Sequence, residues 1–591
     1  MKVGHAFADH IKSEKIVRWH YQEQMEHFMR SRILLLFFLL AFGLLLFRLI
    51  SLQLFQGSYY RTLSDSNRIR TKIIYAPRGV IFDRNGVPLV FNKPGYREIE
   101  KEKTSLLNQE TALSRLALGA KNIEIDSLRE YPYKDRFSHI LGFVGQISKE
   151  ELASREFSDY HLTDWIGKTG IERQYEHVLS GTNGKQLIEV DAMGKFVRTL
   201  GQTDPIPGRD ITVTIDSKLQ DAVFAALHDV KKGAVVVSMP KGEILAMISK
   251  PTFDPNLFTL DATYKASTSG YRSVTDILTD SENQPMMNRA IAGVYPPGST
   301  FKIITAASGL ENKVIDSNFL IKDTGVIKIN EYSFSNWLFT QYGRTDGDVN
   351  VVKAISRSND IFFYTLAEMV NVDRLSQTAG KFGIGRKLSI PLGGEEEGVL
   401  PTQEWKKKTI GEPWYLGDTF IYGIGQGYLL TTPLQVNAFT QVIANGGTLY
   451  QPKIIKNEHE KVLNKDIVQK GTIDLIREGM VQACSPGGVA WPLFEFRVKN
   501  SELRIDGKNF LEAPQATVAA GFKDYRKVTV ACKTGTAQHG GEKTLPHAWI
   551  TLFAPAYNPE IVVTVLAESS GEGSSVAAPI AKKVLEAWFT K

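Results

Sequence analysis

The feature that most constrains this chain is an unbroken run of fifteen apolar residues, Ile33 to Phe47, directly after Arg30-Ser31-Arg32. A helix of that composition has no polar face to present to water. At a rise of ~1.5 Å per residue the run spans about 22 Å, and extended to Leu54 about 33 Å. The longer span crosses a hydrocarbon layer of ~30 Å, provided that Arg48 snorkels to its edge. A buried soluble helix accounts poorly for so long a run behind a basic flank. Leu49-Ile50-Ser51-Leu52-Gln53-Leu54 has no small-x-small cleavage site, so the segment reads as an uncleaved anchor rather than a signal peptide. Lys15, Arg18, Arg30 and Arg32 precede it and Arg61, Arg68 and Arg70 follow, which places the long C-terminal part outside.

Composition narrows the rest. A chain of 591 residues has room for three or four domains at ~150 residues each. Its net charge of +6 is small for that size and its Lys and Arg are dispersed, so no nucleic-acid partner is expected. Cys484 and Cys532 are the only cysteines, which excludes a disulfide scaffold and a C-x-x-C zinc pattern and leaves their pairing open.

The chain divides into a polar cytoplasmic segment (1–32), an anchor (33–54), a mixed, partly extended region (55–208) and a second domain (209–591). Pro205-Ile206-Pro207-Gly208-Arg209 is the linker. In the mixed region Asn85-Gly86 stands between Val80-Ile81-Phe82 and Val87-Pro88-Leu89-Val90, a hairpin signal. Gln109 to Leu118 reads as helix, and Trp165 to Glu172 opens another after glycine punctuation. No catalytic constellation is visible there, so a structural or partner-binding role is expected. In the second domain Ile211–Ile215 reads as a strand, and Asp216 or Ser217 caps a helix through Leu227. Gly233–Ile248 reads as two strands around Pro240-Lys241-Gly242. Strands return at Val528–Ala531, His547–Ala554 and Ile561–Ala567, followed by a helix from Ala577 to Phe589. A strand pair, a helical insertion, three strands and a last helix predict an α+β fold, an antiparallel sheet with helices on both sides.

Three short motifs carry chemistry. Tyr295-Pro296-Pro297-Gly298-Ser299-Thr300-Phe301-Lys302 is a stiff turn leading into an apolar helical pattern. Lys302 lies one turn past Ser299 on the same face. A serine hydroxyl needs a base, and a lysine of depressed pKa can be one. S-x-x-K alone arises by chance about two or three times in such a chain. Ser358-Asn359-Asp360 lies between two apolar helical stretches, where it is also a helix N-cap signature. Lys533-Thr534-Gly535-Thr536 follows the strand-like Val528–Ala531. It reads either as an ordinary strand end or as an edge strand along which an extended peptide lies. In the second reading Gly535 lets a substrate backbone approach, Lys533 attracts a carboxylate, and Thr534 and Thr536 donate hydrogen bonds. Strict alternation puts Lys533 and Thr536 on opposite faces, so one cleft for both is not evident from sequence. The order S-x-x-K, S-x-D, K-T-G-T, with separations of 59 and 175 residues, is the serine–lysine acyl-transfer set of penicillin-binding proteins and serine β-lactamases.

From anchor to last helix the chain resembles a class B penicillin-binding protein. Tyr295–Lys302 and Gly425-Gln426-Gly427-Tyr428 are more similar to the elongation type than the septal type, and Arg78-Gly79-Val80-Ile81-Phe82-Asp83-Arg84-Asn85-Gly86 resembles the family's pedestal motif. The resemblance implies a single-pass protein of the bacterial cytoplasmic membrane with an elongated mixed α/β pedestal (55–208) and a serine β-lactamase-like transpeptidase domain (209–591) outside. It implies a D,D-transpeptidase that cross-links peptidoglycan stem peptides, with β-lactams as inhibitors and a multipass glycan polymerase of the elongation machinery as partner. Ser299, activated by Lys302, would attack the D-Ala-D-Ala carbonyl, and Ser358 would shuttle protons. Lys533 and Thr534 would hold the substrate carboxylate. Backbone N–H groups of Ser299 and Thr536 would form the oxyanion hole, at roughly 2.7–4 kcal/mol per donor.

Two departures stand out. Asp360 occupies a position that is Asn in many members; an ionised carboxylate only accepts, so it is expected to pair with Lys302. Some elongation-type relatives hold zinc through His and Cys, but Leu310–Ser358 contains neither, so no metal and no cofactor are expected. The alternatives are a septal-type transpeptidase, a β-lactam-hydrolysing or sensing relative, and a non-catalytic activator of a glycan polymerase. Intact Ser299, Lys302 and Lys533 argue against the last. The absence of H-E-x-x-H and G-x-S-x-G motifs disfavours a metal hydrolase and an α/β-hydrolase.

Overall fold

The computed structural model describes residues 14–590 apart from 101–102, 121, 192, 261–263, 267–268, 500–524 and 542–543. Two compact units emerge, one formed by the chain up to Ile74 with Asn183–Pro205, the other by Tyr75–Thr182 with Ile206–Lys591.

The first unit holds the apolar run. A helix spans Glu14–Ile50, widens into a π-helical turn at Ser51–Phe55 and is followed by a helix at Gly57–Arg68. Phe28–Phe55 is long and apolar enough to cross a membrane, and none of it is buried in the protein. Its 28 residues rise about 42 Å, longer than the sequence pattern alone delimited. Ile69–Ile74, Gly184–Val190 and Phe196–Thr203 form an antiparallel three-stranded sheet in the same unit.

In the second unit the expected hairpin forms, with Ile81 opposite Val90 and Gly86 at φ +86° in the turn. Asp83 holds that turn by accepting from the backbone N–H groups of Asn85 and Val87. Only Ile211–Thr212 of the expected strand Ile211–Ile215 joins the sheet, pairing parallel with Ile81–Phe82. Val213 N–H still donates to the Phe82 carbonyl at 2.8 Å, but Val213 also bridges to Ile455, and Thr214 N–H donates to the Ile454 carbonyl. Beneath the hairpin lies a buried cluster of two arginines and two glutamates. Arg78 donates to Glu172 at 2.7 Å and to Glu176 at 2.9 Å, and Arg129 Nε donates to Glu172 at 2.7 Å. Burial pushes the Glu172 carboxyl up, but Arg129 and Arg78 outweigh it and hold the group below its ordinary range.

The second unit also contains a five-stranded antiparallel sheet. Its strands are β1 (Gly233–Ser238), β2 (Ile244–Lys250), β3 (Ala531–Ala537), β4 (His547–Ala554) and β5 (Ile561–Ala567), in the spatial order β2-β1-β5-β4-β3. The helices that matter for the site are α1 (Ser217–Ala226), α2 (Lys302–Glu311), α3 (Trp337–Tyr342), α4 (Val351–Arg357), α5 (Asp360–Val370), α6 (Pro433–Ala444), α7 (Lys470–Ala483) and α8 (Ala578–Phe589). Asp216 caps α1, accepting from the N–H groups of Lys218 and Leu219. Period-two alternation sorts the sheet between two cores. Val563 and Val565 pack in one core with Val223 of α1 and Val584 of α8, while Val562 and Leu566 pack in the other with Phe439 of α6. Each such side chain, fully buried, contributes about 1.5–3 kcal/mol.

One boundary differs in a way that matters. The strand does not run over Val528–Ala531 and stop before the lysine; it begins at Ala531 and carries Lys533-Thr534-Gly535-Thr536 within it. Val528 N–H is engaged by Phe496 and the Thr529 carbonyl by Ala556, so that backbone is committed before β4 is reached. Among the described residues β3 is an edge strand, paired only with β4.

Cys484, at the end of α7, and Cys532 of β3 form a disulfide with a Cα–Cα distance of 6.0 Å. Cys532 belongs to the core shared with α1 and α8.

Candidate active site

The sequence Pro296-Pro297-Gly298 forces a sharp entry to α2, and the structure shows why glycine is required. Gly298 has φ +54°, and Ser299 sits in a 3-10 turn, Gly298–Phe301, that leads into α2. The turn is clamped from several sides. Gly298 N–H donates to the Gly425 carbonyl at 2.8 Å, and Trp549 Nε1 donates to the Pro296 carbonyl at 3.1 Å. A Cβ on Gly425 would lie 2.1 Å from the Gly298 carbonyl oxygen, so the Gly425-Gln426-Gly427 motif is a packing device against the nucleophile turn.

Lys302 is fully buried. Its ammonium donates to Asp360 Oδ1 at 2.7 Å, to the Ser358 carbonyl at 2.8 Å and to Ser358 Oγ at 3.2 Å. Lys533, also fully buried, donates to the same Ser358 Oγ at 2.9 Å and to the Thr534 carbonyl at 2.9 Å. The Ser358 hydroxyl therefore lies between two amines. Ser358 reaches this place through a left-handed backbone, φ +54°, in the break between α4 and α5. Both readings of Ser358-Asn359-Asp360 hold at once: Asn359 caps α5 by accepting from Phe362 N–H, while its two neighbours turn into the site.

Burial lowers the Lys302 pKa, and Asp360 offsets this only in part. Burial lowers Lys533 further, and the charge of Lys302 adds to that fall. Two amines thus share one carboxylate in a place where neither is solvated.

The structure brings Ser299, Lys302, Ser358, Asp360 and Lys533 to neighbouring positions around the turn and the α4–α5 break, with two qualifications. Ser299 is half-buried and its hydroxyl has no hydrogen bond to protein among the described residues. The Lys302 hydrogen bonds go to Ser358 and Asp360. Gly535 does not leave space for a substrate backbone on its side-chain face. A Cβ there would lie 3.0 Å from the Pro297 carbonyl oxygen and 3.1 Å from Thr300 Cγ2, so the glycine lets β3 pack on the nucleophile turn. Alternation holds, with Lys533 buried and Thr536 exposed, yet the Thr536 backbone borders Gly298.

Residues that no motif announced complete the surroundings. Trp337 N–H, at the start of α3, donates to Asp360 Oδ2 at 3.1 Å, and Asn336 Oδ1 accepts from Asp360 N–H at 3.2 Å. Gly573 N–H faces Thr536 Oγ1 at 3.5 Å, and Gln341 donates to Glu572 at 3.0 Å. These lie 23 or more residues from their partners and follow no spacing rule, so only the fold reveals them.

A half-buried serine and a buried lysine at a helix start, a second serine bridging two lysines and an edge strand carrying K-T-G-T define a serine acyltransferase. The chain belongs to the penicillin-binding protein family: residues 233–586 match the penicillin-binding protein transpeptidase domain, and residues 98–213 match the penicillin-binding protein dimerisation domain. It is 32% identical to the peptidoglycan D,D-transpeptidase MrdA of Escherichia coli, over 93% of this chain and 92% of that one. Among solved structures it is similar to PBP2 of Pseudomonas aeruginosa in complex with WCK 5153, with 33% identity, TM-score 0.65, and coverage of 88% of this chain and 96% of that one. It is also similar to a chain of a peptidoglycan synthase complex that coordinates polymerization and crosslinking, with 28% identity, TM-score 0.68, and coverage of 95% and 98%.

Proposed function

We propose that this protein is an elongation-type peptidoglycan D,D-transpeptidase working through an acyl-enzyme on Ser299. The observation that carries the reading is the Ser358 hydroxyl held between Lys302 and Lys533, at 3.2 and 2.9 Å, beside the nucleophile turn. Ser299 Oγ attacks the carbonyl of the penultimate D-alanine, and its proton passes to neutral Lys302. The tetrahedral oxyanion is held by the backbone N–H groups of Ser299 and Thr536. Its collapse breaks the peptide bond, and the departing D-alanine amine takes a proton delivered through Ser358. An amine of a neighbouring stem peptide then attacks the ester, releases Ser299 and leaves the cross-link. Lys533 and Thr534 hold the terminal carboxylate of the donor stem, and Gly535 seats β3 on the nucleophile turn. β-Lactams acylate the same serine.

The carboxylate has a further role. With one carboxylate for two buried amines, the empty site lacks a negative charge, and the substrate's C-terminus supplies it, drawing a proton onto Lys533.

The chain is anchored by its N-terminal helix. In this reading it crosses the cytoplasmic membrane once, with residues 1–32 inside, 33–54 as anchor, and the pedestal (55–208) and transpeptidase domain (209–591) outside. The Cys484–Cys532 disulfide supports that side, because such bonds persist in oxidising compartments. The similarity to a synthase complex supports a multipass glycan polymerase as partner.

Labelling with a fluorescent penicillin tests the central step. Wild type is expected to label and Ser299→Ala to remain dark; equal labelling of both, or of neither, would sink the assignment.

A further inference from the structure

Beside the catalytic groups lies a buried carboxylate that the mechanism above does not use. Asp323 is 4% exposed, and among the described residues no cationic side chain touches it. Its Oδ1 accepts from Gly325 N–H at 2.8 Å. Its Oδ2 accepts from Asp346 N–H at 2.8 Å, Asn359 Nδ2 at 2.8 Å and Asn336 Nδ2 at 2.9 Å. Asn336 and Asn359 are fully buried.

An ionised carboxylate only accepts, so whatever part of each asparagine faces Asp323 has to be its NH2 group. The amide oxygens are then forced the other way, and both meet the first turn of α5. Asn359 Oδ1 accepts from Phe362 N–H at 2.9 Å, and Asn336 Oδ1 accepts from Asp360 N–H at 3.2 Å. The residue after Asn336 closes the circuit, since Trp337 N–H fixes Asp360 Oδ2 at 3.1 Å while Oδ1 binds Lys302. A second connection runs from Asn359 Nδ2 to Asp346 Oδ2 at 3.1 Å, and from Asp346 Oδ1 to Arg357 Nε at 3.0 Å. The Arg357 carbonyl in turn accepts from Trp337 Nε1 at 2.9 Å.

We propose that Asp323 is a positioning residue for the acylation reaction, setting the orientation of Asn336 and Asn359 so that Asp360 is held against Lys302. It rests on the transpeptidase reading above and extends it to a residue that touches neither substrate nor reacting atoms. An asparagine at 323 cannot do the same work. With its NH2 group in the place of Oδ2 it faces the NH2 groups of Asn336 and Asn359, which have to turn and withdraw their oxygens from α5; with it in the place of Oδ1 it loses the Gly325 N–H bond and offers the three donors at Oδ2 a neutral oxygen in place of a charged one. Among the described residues the groups that face Lys302 are Asp360, Ser358, Lys533 and the Phe363 ring, whose centroid is 5.4 Å from Nζ; displacement of Asp360 removes the only negative one of these.

The test is the rate of acylation by fluorescent penicillin, followed against pH, for the full-length wild type, Asp323→Asn, Asn336→Ala and the double variant. Asp323→Asn is expected to slow acylation severalfold, no further than direct loss of the Asp360 charge does. It is also expected to move the acid limb of the profile to lower pH, because Lys302 keeps its proton less well without Asp360. Asn336→Ala reproduces the shift with a smaller loss. The double variant falls short of the product of the two losses, because one residue acts through the other. A purely structural role would lower the active fraction and leave the pH profile in place. A folded Asp323→Asn with unchanged profile overturns the proposal. If that variant does not fold, an unchanged profile in Asn336→Ala overturns it. An unlabelled wild type breaks the transpeptidase reading instead.

Discussion

Two buried charge clusters in the second unit solve opposite problems. In the first of them, Arg78 and Arg129 face Glu172 and Glu176, two cations with two anions. Glu176 accepts further from Gly167 N–H at 2.7 Å and from the Tyr160 hydroxyl at 3.1 Å. The Glu172 carboxyl is lowered despite full burial, and Arg78 is raised. Around Ser299 two lysines share Asp360, and both amines are lowered. The balanced cluster has no proton to exchange and acts as a fastening. The unbalanced one cannot keep both lysines charged, so a neutral amine stands ready to accept a proton. Burial is common to both; the count of charges separates structure from catalysis.

Removing a member of each cluster should break them differently. Lys302→Met is expected to slow acylation by about 10²–10⁴-fold, the usual contribution of a general base. Its thermal unfolding should stay level or rise, because an unbalanced buried cation is gone. A fall of many degrees would show that Lys302 is structural after all. Glu172→Gln should do the reverse, costing about 3–5 kcal/mol of stability by leaving two arginines undercompensated. Chemical denaturation checks this, and the folded fraction should label at the wild-type rate. The sign with pH follows: a lowered carboxyl stabilises the fold above its unfolded pKa of ~4.3, and that contribution disappears as pH falls through the lower folded value.

Smaller effects sharpen the contrast. Esterifying the carboxylate of a penicillin probe should slow labelling by about ten- to a hundredfold, the value of a charge-assisted contact, because the missing anion is no longer supplied. An unchanged rate would argue that Lys533 does not read that charge. Asp360→Asn should slow labelling only severalfold, with the acid limb shifted to lower pH as Lys302 loses its negative neighbour. Complete loss of labelling in a folded protein would show that the carboxylate itself is indispensable.

Much of this was legible in the residues. Fifteen apolar positions announced the N-terminal helix, and the apolar stretch Ile561–Ala567 marked a strand. Ser299, Lys302, Ser358, Asp360 and Lys533 were found because each occupies a motif of fixed local spacing. The start of β3 was misplaced because Val528-Thr529-Val530 has strand character, while its backbone is taken by Phe496 and Ala556. Gly535 was assigned to substrate access, since sequence cannot say which side of a glycine is occupied. Asp323, Asn336 and Trp337 were invisible for a related reason: their importance lies in which amide faces which, and that is decided only when distant segments meet.

Gly298, Gly425, Gly535 and Gly573 gather around the nucleophile turn, and at three of them an added Cβ would lie 3.0 Å or less from a backbone oxygen. At Gly573 the nearest would be the Trp549 carbonyl oxygen at 2.2 Å. Selection by an inhibitor that acylates Ser299 therefore meets a ring of positions with almost no tolerated alternatives. Heritable escape is channelled to the exposed rim, where the side chains of Gln341 and Glu572 lie. An inhibitor whose contacts stay inside the glycine ring would leave the fewest evolutionary exits.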